Sequence, residues 1–450
     1  MKSFTRKFAV ALFLLLLPAL SQALEFQFEK DQALPMVYVT VAFKGGASQD
    51  PDGKSGVTDL MGSLLLRGTK TKTKQQIDLA LDQMGATLEF ETRSEYVTLR
   101  GAVLSRNLGS FLSLLDEILT TPSFREQELE KLKKEQISSL LDSLGRDQSV
   151  VRLRFDETFF KGHPYSKPND GKIKDIQSIT AADLKTQYQH LINANEMFLL
   201  GTGDAKEKDF DGFIADIKAK RNQVVPVPVL PAFTTGPKKL KVVIFDKPDR
   251  TQTQVMIGQT GVQIDDPKLD ALELANYAFG GSSFQARLMV ELRVKRGWTY
   301  GAYSSYKLGS RPNSWKVMFY PKNADTPPAI KEAIRLIREF QQKGISEAEF
   351  QAARQSLMAS SAFTFNTPQK RLENKMIEMI FNLPEDYFKN SAKRLSTLTL
   401  QQVNQAVAST ITPDHLMVGI LATASISKAD IAKALGIPEK DIEVQNYQKE

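Results

Sequence analysis

The sequence predicts an α+β protein of two similar tandem domains, each a mostly antiparallel sheet with helices packed on one face. Three observations predict it. A proline-rich stretch divides the chain near its middle. The segments on either side recur in the same order. Strands and long helices mix without the strict alternation of a parallel α/β fold. The length of 450 residues fits, because domains typically take roughly 100–200 residues each.

The dividing stretch is residues 224–237, VVPVPVLPAFTTGP. Proline fixes φ and removes a backbone donor, so prolines alternating with valines and leucine read as an extended linker rather than a core element. It separates a first domain, residues 24–223, from a second, residues 238–450.

Each half opens with an apolar run, 37–43 (VYVTVAF) and 254–259 (QVMIGQ). Each later carries a charged helix entered through acidic residues, around Glu128 and around Glu349. Each then has a threonine followed three residues on by Asp or Gln, at Thr180–Asp183 and Thr399–Gln402, which is a capping-box signal. Each ends with a short apolar strand, 196–201 and 416–420. Glu349 follows Glu128 by 221 residues and Thr399 follows Thr180 by 219, so the shift is nearly constant, as a duplicated domain requires. Residues 86–104 alternate as a hairpin, and 108–119 and 329–343 show the three-to-four spacing of one-sided helices.

The N-terminus reads as a cleavable export signal. Lys2, Arg6 and Lys7 form a basic start, residues 8–17 are apolar, and Ser21-Gln22-Ala23 gives a small-residue cleavage site after Ala23. The apolar run falls short of the ~20 residues of a membrane span, so no stable membrane insertion is expected after cleavage. The destination expected is the periplasm. There is no cysteine, hence no disulfide, thiolate ligand or cysteine nucleophile. The formal charge of +7 includes the three basic residues of the signal, which leaves about +4 on the exported chain, interleaved with acids. Nucleic acid is not an expected partner.

From Gly45 the chain reads GGASQDPDGKSGVTDLMGSLLLRGTKTKT. This resembles the metal-binding region of the insulinase/pitrilysin family of zinc peptidases, in which a helix bears His-x-x-Glu-His before a basic-Gly-Thr turn. Arg67-Gly68-Thr69 stands at that turn. The resemblance spans about residues 24–422. In that motif two imidazoles one helical turn apart hold zinc and the glutamate activates water. Here the imidazole positions carry Asp59 and Ser63, and the base position carries Gly62, which accepts no proton. Glu128 and Glu135 fall roughly where the family places a further acidic ligand. No metal is expected on this chain. His163, His190 and His415 are far apart in sequence and read as structural or surface residues.

The second half keeps more of the family's pattern. Residues 279–306 read FGGSSFQARLMVELRVKRGWTYGAYSSY, which resembles the segment whose arginine and tyrosine, seven residues apart, hold the substrate backbone and stabilise the oxyanion. Arg293 and Tyr300 match that spacing. The resemblance implies two halves forming a clamshell-like chamber. It also implies a non-catalytic, substrate-positioning subunit of a heterodimeric periplasmic zinc endopeptidase. The partner would be a zinc-motif homologue and the substrates peptides. The apolar run 38–43, read as an edge strand, would pair with an extended peptide. The alternative is an inert scaffold or peptide-binding protein of the same fold.

Overall fold

The computed structural model of the chain describes residues 24–223, 225–233, 236–282 and 284–449, so residues 1–23, the expected export signal, lie outside the described residues. The strands are β1 (Glu25–Lys30), β2 (Met36–Lys44), β3 (Thr87–Thr92), β4 (Tyr96–Leu104) and β5 (Met197–Gly203), then β6 (Lys241–Asp246), β7 (Gln254–Thr260), β8 (Thr299–Tyr306), β9 (Ser314–Pro321), β10 (Met417–Ala422) and β11 (Ile442–Asn446). The first five form one sheet in the order β1-β5-β2-β4-β3. The other six form a second in the order β11-β6-β10-β7-β9-β8. Without β11 the two orders are the same, strand for strand. In both, the first strand of the half runs parallel to its neighbours, β1 to β5 and β6 to β10 and β11, and the remaining pairs are antiparallel. The duplication read from matching helix caps is therefore a duplication of sheet topology.

Local chemistry explains the matching elements. Thr180 and Asp183, and Thr399 and Gln402, form reciprocal capping boxes that start helices Ala181–Leu191 and Leu400–Thr410. Ser346 and Glu349 do the same for Glu347–Ser361. The 86–104 alternation folds as the β3–β4 hairpin, with Thr92 opposite Val97. Helices Val57–Leu65 and Leu108–Thr120 pack on one face of the first sheet around Leu60, Phe111 and Leu115. Helix Thr326–Lys343 covers the second sheet, where Phe340 stacks on Phe279 and both rings pack against Trp315. Burial of such aromatic area dominates core energetics.

The second face of each sheet is covered by a helix from the other half. Helix Asp147–Phe159 lays Val151, Phe155 and Phe159 on Val243, Met256 and Met417 of the second sheet. Helix Pro368–Ile380 lays Leu372, Met376 and Met379 on Ala42, Phe198 and Leu200 of the first. Ion pairs flank both crossings: Arg371 with Glu29 at 2.8 Å and Asp31 at 3.1 Å, and Lys247 with Asp147 at 2.8 Å. Each half is thus finished by an element of its neighbour, so helices lie on both faces of each sheet.

One expectation is corrected. The run 38–43 is not an edge strand: β2 is hydrogen-bonded to β5 on one side and β4 on the other. Its backbone groups are already paired, so no peptide strand adds to it. The open strand edges belong to β1, β3, β8 and β11. Among the described residues no helix is long and apolar enough to cross a membrane.

Candidate functional site

The helix at the metal-motif position is Val57–Leu65. It starts after Gly56, whose φ of 96° requires glycine. Buried Asp50 anchors that start, accepting hydrogen bonds from the Gly56 amide (2.6 Å) and from the Thr58 amide (3.3 Å) and hydroxyl (2.6 Å). The frame of the motif is therefore firmly built.

The positions within it do not fit a zinc ion. A Cβ added at Gly62 would lie 1.8–2.2 Å from three atoms of the Phe90 ring, so that ring of β3 fills the place where a general base would stand. Asp59 accepts a hydrogen bond from the Gln136 amide at 3.0 Å. Ser63 supplies only a hydroxyl. Glu128 and Glu135 are drawn to Arg67 of the Arg-Gly-Thr turn: Glu135 takes a two-pronged hydrogen bond from its guanidinium, and Glu128 lies 3.8 Å from it. A guanidinium of the chain itself thus holds the acidic pair. Among the described residues no group of three or more His, Asp or Glu side chains could hold a metal ion.

Burial pushes the Asp59 carboxyl up to about 6; hydrogen bonding from Thr92 and Gln136 opposes the rise and the nearby Asp170 carboxylate adds to it. A carboxyl with a raised folded pKa favours folding in its protonated form, so that contribution is lost as pH rises from its unfolded value of about 4 through 6. Asp59→Asn keeps an acceptor for Gln136 without the charge. It is expected to stabilise the chain at pH 7.5 by on the order of 2 kcal/mol, and not at pH 4. Urea unfolding at the two pH values checks this; an equal effect at both would refute it.

The other candidate residues lie at the outer end of the second sheet. The segment 277–294 holds two π-helical turns, Tyr277–Gly281 and Met289–Val294, and Arg293 is on the second. Such turns re-aim side chains relative to an α-helix and often mark functional sites. The turn packs against β8, the edge strand that carries Tyr300. A bulge interrupts β8 between Thr299 and Ala302. The Thr299 hydroxyl secures it, donating to the Gly301 carbonyl at 2.8 Å and accepting from the Gly301 amide at 3.3 Å and the Tyr320 amide at 3.0 Å. Tyr300 is left 80% exposed.

Arg293 is half-buried, with its guanidinium 4.8 Å from the Phe284 ring centre. The nearby acid Glu291 is taken by Lys295 at 2.6 Å and Arg296 at 2.7 Å, so among the described residues Arg293 has no carboxylate partner. Arg293 and Tyr300 come from packed elements, but no hydrogen bond joins them. Around them Phe284 (61% exposed), Val294 (64%) and Tyr303 (40%) extend the exposed apolar surface. Sequence reasoning singled out Arg293 and Tyr300 and passed over Phe284 and Tyr303. The signal available for Phe284 was a large aromatic in a Gly-Gly-Ser-Ser turn.

His163 is structural. Its Nδ1 accepts from the Tyr165 amide at 3.1 Å, so Nε2 carries the proton and donates to the Pro231 carbonyl at 3.0 Å, which ties the linker to the first half. His190 and His415 are exposed.

Two halves of one topology, with Asp59, Gly62 and Ser63 where the metal motif has its imidazoles and glutamate, define a duplicated two-domain α+β fold. Sequence comparison agrees. The profile described as insulinase (peptidase family M16) matches residues 26–169, and that of the peptidase M16 inactive domain matches residues 178–357. The chain belongs to peptidase family M16. It is 24% identical over 386 residues to the non-peptidase homolog YmxG of Helicobacter pylori, covering 84% of this chain and 87% of that one. It is 20% identical over 401 residues to the uncharacterized zinc protease YmxG of Bacillus subtilis, covering 86% and 94%. Among solved structures, a peptidase M16 inactive domain from Pseudomonas fluorescens superimposes with a TM-score of 0.82 at 23% identity, covering 89% of this chain and 95% of that one. A chain of Complex III2 from Candida albicans superimposes with a TM-score of 0.71 at 12% identity, covering 91% and 97%. At these identities the structures establish the fold alone.

Proposed function

We propose that the chain is the non-catalytic, substrate-positioning subunit of a heterodimeric periplasmic zinc endopeptidase that acts on peptides. The observation that carries this reading is a contrast within one chain. The metal-motif helix is closed by Phe90 and its acidic neighbours are paired with Arg67, while Tyr300 is exposed, Arg293 is half-buried beside the Phe284 ring, and among the described residues neither has a carboxylate partner. The likeness to a relative named a non-peptidase homolog supports the first half of the contrast.

In this reading the zinc and the general base belong to a homologous partner with an intact His-x-x-Glu-His helix. Arg293, always charged and offering several N–H donors, holds carbonyl oxygens of an extended peptide. The Tyr300 phenol donates to the oxygen that becomes negative as the peptide bond is attacked, where a preorganised donor contributes about 3 kcal/mol. Exposed Phe284, Val294 and Tyr303 receive apolar side chains of an unfolded substrate or of the partner; exposed apolar patches of this kind mark binding surfaces.

The test is co-expression with a zinc-motif homologue encoded in the same genome, followed by peptide cleavage by each chain and by the mixture. Cleavage is expected from the mixture alone, with kcat/KM lowered roughly 100-fold by Arg293→Ala or Tyr300→Phe. Cleavage by the mixture that ignores both substitutions would favour the second reading, an inert scaffold. Zinc-dependent cleavage by this chain alone would overturn both.

A further inference from the structure

We propose that Phe284 is a positioning residue for Arg293: its ring holds the guanidinium in place for substrate while leaving every N–H donor free. The inference rests on the reading above and adds a residue to it.

Three observations carry it. First, Phe284 is a large apolar side chain left 61% exposed, yet its ring lies 4.8 Å from the Arg293 guanidinium. Second, among the described residues Arg293 has no carboxylate partner of the kind that normally fixes a surface arginine. Glu291 is taken by Lys295 and by Arg296, and Arg296 is also held by Glu332 at 2.7 Å. A carboxylate would orient the guanidinium but consume its donors. A ring orients it through the quadrupole and consumes none.

Third, the segment leading to Phe284 is tied to the strand that bears Tyr300. A Cβ at Gly280 would lie 2.5 Å from the Ser304 hydroxyl and 2.8 Å from the Ser304 amide, so only glycine permits this approach to β8. Asn276 pins the same place. Its Oδ1 accepts from the Ser304 hydroxyl at 2.6 Å and from the Trp315 indole at 2.8 Å, and its Nδ2 donates to the Ser304 carbonyl at 3.2 Å. Phe284, Arg293 and Tyr300 therefore stand on segments referenced to one strand. Because Phe284 is exposed, its removal leaves the core intact and its effect is separable from folding.

The experiment compares Phe284→Leu, Phe284→Tyr and Phe284→Trp in the complex with the zinc-motif homologue, on a fluorogenic peptide. Leucine keeps apolar bulk without a π face and is expected to lower kcat/KM roughly three- to tenfold, the range of an exposed to partly desolvated cation–π contact. Tyrosine and tryptophan keep the face and are expected to stay within about twofold of the parent. In an Arg293→Ala background the leucine substitution should do nothing further. Melting temperatures should not move. Parent-like activity of the leucine variant, or an equal loss in the Arg293→Ala background, overturns the proposal. Crystal structures of the lone chain and its Phe284→Leu variant read the same claim without activity: the guanidinium should leave its place, and an unmoved guanidinium overturns it. No cleavage by the parental complex would instead count against the subunit reading, with the structural comparison still deciding the role of Phe284.

Discussion

A chain carrying Asp59→His, Gly62→Glu and Ser63→His together is expected to bind no zinc and to lose about 3 kcal/mol of stability, because restoring the motif letters does not restore the site. The decisive position is Gly62. Replacing a glycine inside a helix ordinarily gains up to about 1 kcal/mol in propensity. Here any Cβ lands within 2.2 Å of three atoms of the Phe90 ring. The ring has to leave its place over helix Val57–Leu65 or the helix has to shift, and either cost exceeds the propensity gain. The clash lies between two named residues, so it is open to a double-mutant cycle. Gly62→Ala alone should destabilise. Added to Phe90→Ala, it should cost nothing or stabilise slightly. Urea denaturation gives the four stabilities and equilibrium dialysis gives the zinc content. Stoichiometric zinc in the triple variant, or parental stability of Gly62→Ala, would refute the account. Even with Phe90 removed, Arg67 still pairs with Glu135 and lies beside Glu128, so the acidic side of a metal site stays engaged.

Gly62 also shows what could be read before the structure. The missing imidazoles and base were legible because a metal motif is local: two ligands one helical turn apart fall within five residues. The capping boxes at Thr180 and Thr399 were legible for the same reason, and so was the β3–β4 hairpin, whose two-residue period reports one buried face. What filled the vacated place was not legible. Phe90 lies 28 residues from Gly62 in sequence, and nothing in its own segment points to the helix it meets. Arg67 is only five residues from Gly62, but the acids it engages, Glu128 and Glu135, lie 61 and 68 residues further on. The 38–43 run was placed wrongly because its pattern was underused. A run that is apolar but for Thr40 signals a strand buried on both faces, which is a central strand and not an edge. The exposed face around Arg293 was half legible. Spacing selected Arg293 and Tyr300, but exposure, which selects Phe284 and Tyr303, is a property of the folded surface alone.

The exchanged helices were beyond sequence reasoning in a different way. Helix Asp147–Phe159 has no single apolar stripe, because it is buried both by its own half and by the second sheet. A polar helix without an apolar stripe gives no sequence signal of which residues are buried or of what buries them. The structure answers at Phe155. This ring is fully buried and sits against two glycines of the second sheet: a Cβ at Gly258 would lie 2.8 Å from it, and one at Gly419 2.9 Å. The glycines form a floor that only a flat side chain from the other half can cover. Lys316 of β9 lies 5.3 Å from the same ring while pairing with Asp156. Phe155→Ala is expected to cost about 3–5 kcal/mol, since the floor has no side chains with which to collapse into the cavity. The loss should differ in kind from one within a single core. Phe155 joins the halves, so its removal is expected to split one cooperative calorimetric transition into two. A substitution of similar size inside one core, Phe111→Ala, should lower the transition without splitting it. Met376→Ala, the equivalent cut at the opposite crossing, should split it in the same way. A loss below about 1 kcal/mol for Phe155→Ala, or a single transition in both crossing variants, would mean that each half is complete without its neighbour's helix.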